Sequence, residues 1–259
     1  MMIVLSPAKR LDWDVPVGDV RPPAFQDDAN ILAGHARQLS LKELKSLMGL
    51  SDDLARLNRD RFRDMAKAPD AENSRPAAFA FAGDTYQGLE ARTLDGDALD
   101  FAEAHLRILS GLYGVLRPFD SIQAYRLEMG SRLKSRRGTN LYDFWGTRIS
   151  RALDAAAEAV GTDVLLNCAS QEYFGAVDRD SLSLRVITPK FLDDGPKGPR
   201  VISFNAKRAR GAMARFVCET RLTDPEGLRD FDAGGYAFAP TLSEAGAPAF
   251  LRRAAAAAA

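Results

Sequence analysis

Asp163-Val164-Leu165-Leu166-Asn167-Cys168-Ala169-Ser170 is the stretch from which the architecture of this chain is read. Its short continuous apolar run predicts a buried strand, and the polar residues at its end lead toward a helix. Two other segments have the same form. Ile3-Val4-Leu5 runs into Ser6-Pro7-Ala8-Lys9, where the Ser-Pro pair predicts a helix cap with proline at the first helical position. Val201-Ile202-Ser203-Phe204 runs into Asn205-Ala206-Lys207. If these strand ends are neighbours, Lys9, Asn167, Ser170 and Lys207 line one anion site, aided by helix N-termini.

Working outward, residues 14–24 are rich in Pro and Val and predict a loop. The pattern from Asn30 to about Phe62 is helical, with a break near Gly49. Ala78–Ala82 alternates with Phe79 and Phe81 and reads as a strand closing on Gly83-Asp84. Leu99, Leu106, Leu109, Leu112 and Leu116 recur at helical spacing, so 98–117 reads as a helix; Asp143–Ala159 reads as another. Leu184–Leu192 and Val201–Phe204 flank Gly195-Pro196-Lys197-Gly198-Pro199 and read as an antiparallel hairpin with a long loop. Residues 205–221 are helical, and Tyr236–Phe238 predicts a final strand. Helices and strands interleave without regular βαβ alternation, and no internal repeat divides them. The expectation is one α+β domain over 1–253, followed by a frayed alanine tail at 254–259.

The chain has 259 residues, 46% of them apolar and 27% charged, enough for a substantial core and ordinary for a soluble globular protein. No run approaches the roughly 20 apolar residues of a membrane span, and the opening MMIVLSPAK lacks the basic n-region of a signal peptide. Cys168 and Cys218 offer neither a disulfide framework nor a CxxC clip. These features predict a cytoplasmic protein without membrane partners. The 35 basic and 35 acidic residues cancel. Their distribution is uneven: 126–137 holds Arg126, Arg132, Lys134, Arg136 and Arg137 against Glu128 alone, and 203–221 holds Lys207, Arg208, Arg210, Arg215 and Arg221 against Glu219 alone. A neutral total can conceal a basic face.

Sequence motifs exclude several chemistries. There is no GxxxxGK[ST], no GxGxxG after a strand and no HExxH, and the two histidines, His35 and His105, sit in different helices. No metal and no cofactor is expected, and Cys168 reads as a buried inert thiol. Met48-Gly49-Leu50-Ser51 joins two amphipathic helices and approximates a helix-hairpin-helix, which would aim free backbone N–H groups at a phosphate. Ser51 replaces the second glycine of that pattern, and Asp52 and Asp53 would repel an anion; an ordinary helical hairpin is the alternative. On a helix at about 100° per residue, Ala209, Met213, Phe216 and Val217 share one face. Lys207, Arg210 and Arg221 lie opposite, flanked by Arg208 and Arg215, with small residues at 211 and 214 that permit close approach. Tyr113 and Tyr125, among Arg107, Arg117 and Arg126, are either base-stacking or core residues.

At this point the chain resembles the YaaA family of peroxide-stress proteins. The matching stretches are SPAKRLD (6–12), FAGDTYQGL (81–89), LRILSGLYGVLRPFDSIQAYRLEMG (106–130), LYDFWG (141–146), LNCASQEYF (166–174) and ISFNAKRARGAMARF (202–216). The resemblance implies a bacterial cytosolic protein made in response to hydrogen peroxide, limiting DNA damage and free intracellular iron. It also implies a single α+β domain of unusual topology with a positively charged cleft, a helix-hairpin-helix and DNA binding. The hairpin carries over to Leu44–Asn58, and Lys9, Arg117, Arg126, Lys207, Arg210 and Arg215 fall within matching motifs.

Two functions follow as expectations. The first is a non-enzymatic protein that binds double-stranded or branched DNA by its backbone with little sequence preference; a protein-interaction role in iron handling or repair, with unknown partners, is a further alternative. Lys9, Arg117, Arg126, Arg132, Lys134, Lys207, Arg208, Arg210 and Arg215 would neutralise phosphates, and Gly49, Leu50 and Ser51 would add backbone contacts. The second is an enzyme acting on a phosphate-bearing small molecule or nucleotide, with Lys9, Asp84, Tyr86, Asn167, Ser170, Glu172 and Lys207 as its candidate acid–base groups.

Overall fold

The computed structural model describes residues 1–253, and the expected alanine tail lies outside them. Strand β1 (Met2–Leu5) is wholly buried. The chain then turns into β2 (Arg10–Leu11). The helix expected after Ser6-Pro7 does not form, because the Ser6 hydroxyl accepts the backbone N–H of distant Ser170 (2.8 Å) in place of a local amide. The helical stretch beyond the loop is three helices: α1 (Gln26–Arg37), α2 (Leu41–Met48) and α3 (Asp52–Asp64). A capping box between Ser40 and Glu43 starts α2; Gly49, at φ 61°, ends it in the left-handed region that glycine tolerates.

β3 (Ser74–Pro76) leads into α4 (Ala77–Ala80) and β4 (Phe81–Ala82). The strand expected over 78–82 is thus half helix, since the alanine-rich run favours a turn of helix whose small side chains are buried. α5 (Asp84–Leu89) and α6 (Gly96–His105) follow. The helix expected to continue to 117 stops at His105. β5 (Leu106–Ser110) and β6 (Gly114–Leu116) take the rest, turning back at Gly114 (φ 68°). The leucine spacing fits a helix, but Leu106–Ser110 is buried at every position and gains a full ladder beside β1. After β7 (Ser121–Gln123), the single helix expected over 143–159 is two, α7 (Leu141–Trp145) and α8 (Arg148–Ala159), parted at Gly146 with φ 49°.

β8 (Val164–Cys168) forms as the sequence predicts, followed by the single turn α9 (Gln171–Phe174). The strand expected over 184–192 is two strands in different sheets, β9 (Arg185–Ile187) and β10 (Lys190–Asp193), interrupted at Thr188-Pro189. The return strand at 201–204 is absent: one bridge, Asp193 to Arg200, closes the loop, and α10 (Ser203–Thr220) begins within the supposed strand. β11 (Tyr236–Phe238) and β12 (Ala249–Arg252) complete the chain.

The result is a mixed α+β architecture. The main sheet has the order β6-β5-β1-β8-β9, with β1 parallel to both β5 and β8 and only β6 antiparallel to its neighbour. β10-β12-β11 form a second sheet. Buried Asp193 ties that sheet to α10, accepting from Arg252 Nε (2.6 Å), Asn205 Nδ2 (3.1 Å) and the Tyr236 hydroxyl (3.2 Å). One continuous core runs from Met1 to Phe250. Among the described residues, no helix is long and apolar enough to cross a membrane.

Register decides where function can sit. Leu5 lies opposite both Ile108 and Cys168, so the carboxyl ends of β1 and β8 share one edge of the sheet. Connections leave β1 toward partners on both sides, and such a switch point opens a crevice beyond the strand ends.

Candidate functional site

The crevice exists. A cavity of about 480 Å³ opens beyond β1 and β8, lined by the loop Ser6–Arg10, the start of α5 from Asp84 to Gln87, the segment Cys168–Tyr173, and Lys207 and Arg210 of α10. The convergence anticipated from the strand ends is therefore met for Lys9, Ser170 and Lys207. Asp84 and Glu172 join them; Asn167 does not. Its side chain is buried and turned to Thr188 Oγ1 (3.3 Å) and to the N–H of Ala169 (3.0 Å), holding the strand end in shape. Tyr86 lines an adjoining cavity of about 350 Å³, its hydroxyl donating to the Ser6 carbonyl (3.2 Å) and its phenol pushed up by burial.

The cations of the cavity differ in availability. Lys9 is bound to Glu128 (2.6 Å), which also takes Arg126 (3.0 Å). Among the described residues, Lys207 and Arg210 have no salt-bridge partner; the paired cation of their helix that lies nearest is Arg215, held by Glu219 (2.7 Å) and by Glu90. Arg215 also donates to Thr93 Oγ1 (2.7 Å) and the Glu90 carbonyl (3.1 Å), which clamps α10 to the end of α5. Glu172 accepts the Gly130 N–H (2.9 Å). Ser6 and Ser170 hydroxyls meet at 3.3 Å. Cys168 closes the floor, buried, its thiol pushed up to about 12 by desolvation against the opposing pull of Arg210.

A third cavity, about 690 Å³, shares Asp84 and Gln87 with the central one and extends along α10 past Phe204, Arg208 and Arg215. The small residue Gly211 does not leave an open face here. It packs on α5, where an added methyl would stand 1.7 Å from the Thr85 carbonyl oxygen.

The other basic candidates stand apart. Arg117 follows β6, which runs antiparallel to β5, so it lies at the opposite edge of the sheet beside Arg107 and Asp120. Arg132 and Lys134 are exposed in the segment that carries Ser135–Arg137 over to α1, where Arg137 pairs with Asp28. The turn at Gly49-Leu50-Ser51 spends its donors internally: Gly49 and Leu50 N–H groups return to the Lys45 carbonyl, and Lys45 holds Asp52 (2.6 Å). Tyr113 and Tyr125 are buried edge to face at 5.3 Å and belong to the core. His105 stacks on Phe101 and bonds the Met1 carbonyl (3.1 Å).

Sequence reasoning missed Ser6, Thr85 and Phe204. Phe204 is 63% exposed at the start of α10; read as a strand residue, it had no reason to stand out.

Fold and site together define an α+β protein with a charged cavity at the switch point of its main sheet, lined by Lys9, Arg10, Lys207 and Arg210 together with Asp84 and Glu172. The chain belongs to the family described as peroxide stress protein YaaA, which it matches over residues 1–242. It is similar to the UPF0246 protein of Ruegeria pomeroyi, 65% identical over 252 residues covering 97% of this chain and 98% of that protein. The UPF0246 protein of Roseobacter denitrificans is 63% identical over 257 residues (97% and 98%). That of Phenylobacterium zucineum is 54% identical over 245 residues (94% and 91%).

Proposed function

We propose that this chain is a DNA-binding protein of the peroxide response that limits oxidative damage to DNA and free intracellular iron in the bacterial cytoplasm. The observation that carries the reading is the pair Lys207 and Arg210, cations without a salt-bridge partner among the described residues, facing the cavity beyond β1 and β8. A phosphate there would receive two charge-assisted contacts and the hydroxyl of Ser170, whose oxygen accepts from Ser6 and from the Tyr173 N–H. Arg208, one position along and in the adjoining cavity, would extend a basic cleft; Lys9 and Arg126 would contribute less while Glu128 holds them. Arg132 and Lys134 serve as outlying contacts, and the α2–α3 hairpin as a helix-hairpin-helix is a secondary one, with Asp52 and Asp53 at its mouth. Such contacts position a backbone without reading sequence. Direct iron storage is the least supported route of protection, since among the described residues no three His, Cys, Asp or Glu side chains group as a metal site.

The test is a salt titration on duplex and branched DNA. Lys207→Glu with Arg210→Glu should lower the slope of log affinity against log salt by about 2. The same reversal at Arg117, at the far edge of the sheet, should leave it near the wild-type value. Equal slopes for wild type and the double variant sink the reading.

A second reading, an enzyme acting on a phosphate-bearing small molecule, is favoured by one observation: Asp84 and Glu172 share the 480 Å³ cavity with Lys207. A carboxylate pair beside a cation suits proton transfer next to a bound phosphate. Turnover of a nucleotide that disappears in Asp84→Asn, with DNA affinity unchanged, would select it.

A further inference from the structure

Phe204 is the most exposed large apolar side chain among the described residues, at 63%. It belongs to no part of the core, yet it is fixed in the first turn of an 18-residue helix and lines the 690 Å³ cavity. On the same helical face one turn later stands Arg208. Lys207 faces the neighbouring cavity, which shares the Asp84 wall. A flat aromatic surface, open to solvent, thus stands within one helical turn of two cations that have no salt-bridge partner among the described residues.

We propose that Phe204 is a nucleobase-stacking residue and that the two adjoining cavities together take one unpaired nucleotide, its phosphate at Lys207 and Arg210 and its base on the Phe204 ring. The proposal rests on the phosphate-binding reading of the central cavity. Every base has a π-face, so an exposed ring beside a cationic groove is a sequence-tolerant platform for single-stranded nucleic acid. Bases in a duplex are stacked on one another and cannot lie on it. Asp84, on the wall common to both cavities, suits a base amino group or sugar hydroxyl. The polarity of the ligand, phosphate inward and base outward, follows from Lys207 and Arg210 lining the inner cavity and Phe204 the outer one. The tyrosines that the sequence offered for stacking, Tyr113 and Tyr125, are buried and cannot serve. A nucleotide of this kind comes either free or as part of an unpaired strand, and the two sources separate experimentally.

The experiment uses the full chain and fluorescence anisotropy with a labelled oligothymidylate, a duplex of equal length, and thymidine monophosphate as competitor. Phe204→Ala should weaken single-strand binding by about tenfold and leave duplex binding within about twofold. Phe204→Trp should restore affinity, and its indole emission should be quenched when the oligonucleotide binds. Quenching by the monophosphate at comparable concentration assigns the site to free nucleotides; quenching by the oligonucleotide alone assigns it to an unpaired strand. If Phe204→Ala binds both DNA forms as wild type does while Lys207→Glu weakens them, stacking is wrong and the phosphate site stands. If the wild type binds neither DNA nor the monophosphate, both fall. A dimer in light scattering that Phe204→Ala dissociates, with DNA binding unchanged, overturns the stacking role in favour of self-association.

Discussion

Gly88 lies on the backbone of α10 and Gly211 on the backbone of α5 where the two helices cross. A methyl on Gly88 would stand 2.0 Å from the Arg208 carbonyl oxygen, and one on Gly211 1.7 Å from that of Thr85. This contact sets how far Asp84 and Thr85 stand from Lys207 and Arg210, and so sets the width of the central cavity. Gly211→Ala must push the two helices apart. It should destabilise the protein by about 3 kcal/mol, read as a lower midpoint in urea unfolding, and on the proposed DNA-binding reading it should weaken that binding although no charge has changed. A midpoint equal to wild type would mean the helices slide freely.

Glu128 restrains two cations at once, Lys9 at 2.6 Å and Arg126 at 3.0 Å. Glu128→Gln frees both. On the proposed DNA-binding reading, the variant should bind DNA more tightly, with a salt slope steeper by about 1 to 2. A slope that stays flat would show that neither cation reaches a phosphate.

Asp193 is buried and carries Arg252, Asn205 and Tyr236. Asp193→Ala leaves a guanidinium without its partner and unties β12 from the start of α10. The cost should be about 3 kcal/mol, and protease should reach the segment after Phe238 sooner than in wild type. Resistance equal to wild type would place the strength of this junction in its phenylalanines, Phe191, Phe231 and Phe250, which pack within 6 Å of one another.

Asp120 gives the fold a pH dependence. Burial pushes its carboxyl up to about 6, against the lowering effect of the Arg117 N–H it accepts at 2.8 Å. An unfolded aspartate titrates near 4, so between about pH 4 and pH 6 the folded state binds more protons than the unfolded one. Stability from this group is therefore greatest below the window and declines as pH rises through it. Asp120→Asn keeps an oxygen for the Arg117 N–H and removes the ionisation. Its stability relative to wild type should improve by about 1–2 kcal/mol from pH 4.5 to pH 7.5. A constant difference across that range would contradict the assignment.

Cys168 and Cys218 are both buried, their thiols pushed up to about 12 by desolvation. The thiolate is the form that reacts with peroxide. In the folded protein both should stay reduced under millimolar hydrogen peroxide and react with a thiol reagent only after denaturation. Rapid native labelling of Cys168 would show that the floor of the cavity opens.

The parts of this fold legible in the sequence are those whose local pattern and tertiary role agree. Ile3–Leu5 and Val164–Cys168 are continuous apolar runs, and both are buried strands of one sheet. Leu106–Ser110 deceived because its leucines also recur at helical spacing; only pairing with β1 decides the matter. The convergence of Lys9, Ser170 and Lys207 was legible as a possibility from three strand ends that turn polar, although the third end is the first turn of a helix. What the sequence could not disclose was neutralisation at a distance. Glu128 looked like a lone acid in a basic run, yet it reaches back to Lys9, while Lys207 and Arg210 keep their charge for the cavity. Phe204 was hidden by its assignment to a strand, where an apolar residue has an ordinary place.

The middle strand of the main sheet is far in sequence from both of its neighbours: Ile3 pairs with Leu106 on one side and Leu166 on the other. The apolar run Met2–Leu5 therefore has neither flank until segments more than a hundred residues away in sequence come to it. Contacts this far apart form slowly and leave nascent chains open to aggregation. Refolding from denaturant should therefore be slow, and aggregation during it should fall when a chaperone that holds apolar segments is added.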